Sequence, residues 1–167
     1  MDSATVSGRN PASSISDDLV LASTDKNVDM IMHWERVAKQ ADRPVRLKGW
    51  VLDEADAYRQ IPVRPDHRKF SVIALKNPGT GRVNFFVMVG HSFGIVAAVC
   101  NYNRRSGLLN DILWKVFRVP ATFFYDDKFG FEPVQTADSA LRIVRWLRSR
   151  TGADCAEKKV QLDERPQ

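Results

Sequence analysis

Residues 123–131, FFYDDKFGF, decide how this chain is read. Aromatic residues favour strands, and Asp favours turns because its side chain bonds the local backbone. The stretch therefore predicts two short strands joined at Asp126-Asp127. A turn alone accounts for the paired carboxylates. A metal site accounts for them as well, provided a further carboxylate is brought to the same place.

Residues 53–58, DEADAY, offer that carboxylate, because Asp53 closes the apolar run RLKGWVL, which reads as a buried strand. If the two strands are neighbours, Asp53 and Asp126 converge. Carboxylates gathered at one point repel one another unless cations lie between them. Hard oxygen ligands with room for phosphate oxygens suit Mg²⁺. Two such ions roughly 3.5–4 Å apart stabilise both the attacking and leaving oxygens of a phosphoryl displacement.

Outward from these acids, VDMIMHWERVAKQ places Val28, Ile31, Met32, Val37 and Ala38 at helical spacing, with Asp25 or Asn27 as cap. Residues 70–75 and 83–89 are apolar runs joined by NPGTG and predict a hairpin. A long helix is expected from Phe93 to Val116, with Ile95, Ala98, Val99, Tyr102, Leu109, Ile112, Leu113 and Val116 on one face. A last helix follows in TADSALRIVRWLRSRTG, with Thr136 as N-cap and Gly152 near its end. The order helix, strand, hairpin, helix, hairpin, helix predicts an α+β fold, an antiparallel sheet with helices packed on one face.

At 167 residues the chain has room for a single core. Residues 1–26, with six serines and little apolar pattern, read as a disordered lead-in. Residues 27–152 read as the domain and 153–167 as a polar tail. A net charge of +5 favours contact with a polyanion. Cys100 and Cys155 form neither a disulfide framework nor a zinc site and read as reduced thiols. There is no apolar stretch of membrane-spanning length and no secretory signal, so an intracellular protein, cytoplasmic or nuclear, is expected.

DEADAYRQIPVRPDHRKFSV resembles the first palm motif of reverse transcriptases, an aspartate five positions before an aromatic. HSFGIVAAVCNYNR is similar to the second, centred on Phe93-Gly94, and FYDDKF to the third, an aromatic, a variable residue and two aspartates. The three stand in the family's order over roughly residues 45–150, in a pattern resembling the enzymes of mobile retroelements. The resemblance implies a polymerase palm fold and an RNA-directed DNA polymerase. Such an enzyme joins a dNTP to a primer 3′-hydroxyl on an RNA or DNA template, with two Mg²⁺ ions for which Mn²⁺ can substitute. Carried over residue by residue, it implies that Asp53, Asp126 and Asp127 are catalytic and metal-binding.

By the same carry-over, Tyr58 would be the aromatic gate beneath the incoming sugar, and Gly94, beside Phe93, would admit the backbone to the nascent base pair. Ala57 would lie near the sugar or triphosphate. Asp56 would orient the loop and offer its amide to phosphate. Glu54 and Lys128 stand where that family usually has apolar residues, and Lys128 would compete with a cation for the carboxylates. The family's fingers and thumb are not recognisable here, with only Arg9 and Lys26 basic before the first helix, and other parts of a retroelement polyprotein are candidate partners.

Other residues carry weaker signals. Arg64, Arg68 and Lys69, beside His67, read as a polar loop or as a nucleic-acid contact. Arg142, Arg145, Arg148 and Arg150 read as the solvated face of the last helix, and Phe85, Phe86, Phe123 and Phe124 as packing residues. Two alternatives to a polymerase remain open: a catalytically inactive retroelement fragment that binds nucleic acid through its charge, and an unrelated basic binding module.

Overall fold

The structure is a computed structural model that describes residues 8, 10–15, 18–19, 21–153 and 161–164. Arg9, Cys155 and most of the tail lie outside the described residues. The backbone gathers into two compact units. One comprises residues 1–18 with 56–102, the other 19–55 with 103–167.

The second unit is built on a four-stranded antiparallel sheet. Its strands are β1 (Leu47–Asp53), β4 (Thr122–Phe124), β5 (Asp127–Pro133) and β6 (Gln161–Glu164), in the spatial order β4-β5-β1-β6. The β6 pairing places residues of the expected polar tail on the sheet, opposite Lys48 to Val51. Successive side chains of a strand point to opposite faces. On β1, Lys48, Trp50 and Leu52 therefore share one face, and Leu47, Gly49, Val51 and Asp53 the other.

Helices α2 (Val96–Lys115) and α3 (Val134–Arg150) cover the Trp50 face. Leu109 and Leu113 of α2 join Ala140, Leu141, Val144 and Leu147 of α3 around Trp50 and Leu52. Trp50 is 1% exposed and Leu52 0%. Burial of each such side chain contributes about 1.5–3 kcal/mol. Gly130, opposite Trp50 in the ladder, makes the fit possible: a Cβ there would lie 2.6 Å from the indole and 2.7 Å from the Pro120 carbonyl. The α+β class expected from the sequence is what the structure shows.

Helix α1 (Asp25–Gln40) differs from its expected face. Val28, Met32 and Val37 are exposed, and Met30 is buried at 3%. The less exposed residues Asn27, Met30, Ile31, Trp34 and Ala38 recur at the helical period, so a polar residue begins the inner stripe and Val28 falls outside it. The indole N–H of Trp34 donates to the Phe131 carbonyl of β5 at 2.7 Å.

The first unit contains the predicted hairpin, β2 (Val72–Lys76) against β3 (Val83–Val87), and 3₁₀ turns over Ala57–Gln60 and Pro65–Phe70. Its buried residues include Ala57, Val63, Ala98, Cys100 and Tyr102. The hairpin turn is organised by Asn77, whose Oδ1 accepts from the amides of Gly79 (2.9 Å) and Thr80 (3.2 Å). Asn10, within the expected disordered lead-in, donates its side-chain amide to the Gly94 carbonyl and accepts from the Val96 amide, each at 3.0 Å. That second bond satisfies a donor of the first turn of α2, which has no partner within the helix.

Candidate functional site

The β1–β5 ladder runs from Leu47 opposite Pro133 to Asp53 opposite Asp127. Two short strands joined at the acids were expected, and β4 and β5 are those strands. Phe124 pairs with Asp127 across a two-residue turn of Tyr125 and Asp126. Tyr125 holds φ 53°, a left-handed conformation costly for a residue with a Cβ. The carboxylate in register with Asp53 is therefore Asp127, and Asp126 sits on the turn beside them.

Directly opposed residues of an antiparallel pair share a face of the sheet. Asp53 and Asp127 thus lie together, on the face opposite the one that α2 and α3 cover. Asp53 is 7% exposed, whereas Asp127 is exposed. Two like charges directly opposed on one face are unfavourable unless counter-charge or hydrogen-bond donors are near. Their hard oxygen donors fit Mg²⁺. No cluster of three or more His, Cys, Asp or Glu is positioned to hold an ion among the described residues. The structure thus brings Asp53 and Asp127 into register but does not gather Asp126 with them into a three-ligand group.

The neighbouring charges are managed by the pleat. Lys128, one residue beyond Asp127, points to the helix-covered face, where it is 2% exposed and opposite Leu52. Its Nζ lies 5.3 Å over the Phe123 ring and has no hydrogen-bond partner. Burial, reinforced by repulsion from Arg148 and opposed by Glu54, lowers its pKa to about 7. The expected competition of Lys128 for the carboxylates does not arise, because its ammonium is on the wrong side of the sheet.

Glu54 is likewise withdrawn from the acidic corner. Its carboxylate accepts from Arg148 at 2.6 Å and from Arg105 at 2.7 Å, with 2% of its side chain exposed. Arg148, expected on the solvated face of α3, is itself 2% exposed. This triad joins the end of β1 to both helices behind the carboxylate pair. Sequence reasoning missed it: a Glu and two Arg on three separate elements leave no local spacing to read.

Five further candidates gather in the first unit. Tyr58 stands edge-on to Phe93 (5.2 Å, 85°) and packs tilted on buried Tyr102 at 4.9 Å. Arg59 covers Phe93 at 5.6 Å. Asp56 and Ala57 hold φ 53° and 23°, left-handed conformations that turn the chain into the Tyr58 segment. Ala57 is buried and Asp56 exposed. Gly94, at φ 85°, adopts a backbone that a side chain would strain.

Arg64, Arg68 and Lys69 lie at the Pro65–Phe70 turn. Arg64 is spent on Asp66 through two bonds of 3.1 and 2.7 Å, and this pairing holds the Asp66 carboxyl below its usual range. Arg68 donates to the Val63 carbonyl, and Lys69 lies 5.0 Å over Phe70.

Phe85, Phe86 and Phe124, expected to pack, are 74%, 48% and 45% exposed, and only Phe123 is half-buried. No helix among the described residues is long and apolar enough to cross a membrane. The chain matches no known protein-family model and no curated protein.

Proposed function

We propose that the chain is the palm portion of an RNA-directed DNA polymerase of retroelement type. Its reaction would be nucleotidyl transfer from a dNTP to the 3′-hydroxyl of a primer paired with a template. The observation that carries this reading is the register of Asp53 opposite Asp127 at the end of two adjacent strands, with Asp126 on the connecting turn. Bound there, Mg²⁺ ions would supply the stabilisation of attacking and leaving oxygens. The chain contributes the carboxylates, a hairpin that fixes them, and a buried triad that keeps Glu54 away from them. In the first unit, Tyr58 is braced by Phe93 and Tyr102.

The second reading is a catalytically inactive fragment of such an element that binds nucleic acid through its positive charge. The apolar exposure of Phe85 and Val87 favours it, since a complete enzyme would be expected to cover such a surface. Primer extension on an RNA template with dNTPs and Mg²⁺ or Mn²⁺ separates the two, run beside Asp126→Asn and Asp53→Asn after circular dichroism has shown all three chains folded. Extension that falls at least a hundredfold in both variants is the expected result. A folded parent chain that extends nothing supports the inactive fragment.

A further inference from the structure

The outer face of α3 carries a feature that the carboxylate site does not use. Phe117, Ser139, Arg142, Ile143 and Trp146 line an open groove of about 380 Å³ in the second unit. Phe117 and Trp146 meet edge to face at 5.8 Å and 73°, which fixes the indole while leaving it 50% exposed. Arg142, Trp146 and Arg150 follow at four-residue spacing and therefore share one face of the helix. Arg118, next to Phe117 and exposed, is held at φ 57°.

None of these three arginines has an ion-pair partner among the described residues. The acid one turn before Arg142 is already engaged, Asp138 with Lys48 at 3.6 Å. The groove therefore presents an exposed indole beside the Arg142 guanidinium, with Arg150 one turn further along the same helix face and Arg118 next in sequence to Phe117.

We infer that this groove binds single-stranded nucleic acid, with a base stacked on Trp146 and backbone phosphates held by Arg142, Arg118 and Arg150. Guanidinium, indole and guanidinium along one helix face offer contacts to phosphate, base and phosphate in turn, and every base has a π-face to stack. The chain's charge of +5 supports a polyanion over a neutral partner. α3 turns Leu141, Val144 and Leu147 toward the sheet and these residues outward. The groove is thus on the far side of α3 from the sheet, and the sheet's Asp53–Asp127 face is turned away from it. This strand-binding surface is distinct from the carboxylate site and does not rest on polymerase activity.

The test uses the full chain in EDTA, titrated into a short fluorescein-labelled oligothymidylate and followed by anisotropy and tryptophan quenching. Trp146→Ala is expected to weaken binding about tenfold and remove the quenching. Arg142→Gln, at an exposed position, is expected to weaken it about fivefold and to lower the salt slope by about one. Unchanged affinity in both folded variants would overturn the assignment. So would Trp146-dependent binding of phosphatidylserine vesicles by a chain that ignores the oligonucleotide, or concentration-dependent quenching of Trp146 without it, which marks self-association. Because no metal or dNTP is present, failure of primer extension leaves this result standing.

Discussion

At the scale of single residues, Glu54 shows how an apparent anomaly becomes a structural necessity. An acid next to Asp53 would add repulsion to the carboxylate pair if it shared their face. One step along the pleat turns it inward instead, where Arg105 and Arg148 neutralise it. Removing one partner of a buried ion pair leaves the other charge uncompensated. Glu54→Ala should cost roughly 3–5 kcal/mol of unfolding free energy in urea titration, and Arg148→Ala a comparable amount. A loss below about 1 kcal/mol for both would show that water reaches the arginines and that the triad contributes little.

At the scale of elements, β5 explains which parts of the fold could be read from sequence. The two-strand hairpin follows from the runs PATFFY and KFGF on either side of the acids. The alternation is inverted, however: Lys128, Gly130 and Glu132 face the helices, and Phe129 and Phe131 lie half-buried on the other side. Polar residues on the covered face and a glycine making room for Trp50 hide the period-2 signal that would have assigned the faces. The end of β1 at Asp53, the helical pattern of α2 and a turn beside the acids, one residue earlier than expected at Tyr125-Asp126, were legible because they depend on local chemistry. The register that selects Asp127 as the partner of Asp53, and the inner stripe of α1 led by Asn27 and Met30, depend on tertiary packing.

The same strand yields a pH dependence. Burial raises the Glu132 carboxyl from 4.5 to about 7, against a smaller lowering by the Thr136 hydroxyl that donates to it at 3.0 Å. A carboxyl whose pKa is raised by folding is bound to its proton more tightly in the native chain than in the unfolded one. Its contribution to stability is complete below pH 4.5 and is lost as pH rises through 7. Urea unfolding of Glu132→Gln at a series of pH values should give a stability curve flatter across that window than the parent chain's. A parallel pair of curves would show that Glu132 is solvated in the native state.

At the scale of the whole molecule, the apolar surface is unevenly distributed. The ladder of β2 and β3 sets Phe85 and Val87 on one face of the hairpin and Phe86 with Leu75 on the other, all at least 48% exposed. A two-stranded hairpin with neither face buried is marginal by itself, and apolar patches of this kind promote association. Replacing Phe85 and Phe86 together with Ser should reduce light scattering of concentrated solutions severalfold while leaving far-UV circular dichroism nearly unchanged. Scattering that persists in the double variant would place the sticky surface elsewhere.

The ladders of β1 also set an order of events during synthesis. This strand ends at Asp53, yet its neighbours begin only at Asp127 and Gln161. As the chain leaves the ribosome, β1 emerges with both edges open and waits through the making of the hairpin, α2 and β4 before its first ladder partner exists. Its apolar face is a natural client for a chaperone over that interval. A nascent chain stalled just after α2 would then hold Trp50 in contact with water, and the tryptophan would move into apolar surroundings only once β5 and α3 had cleared the exit tunnel.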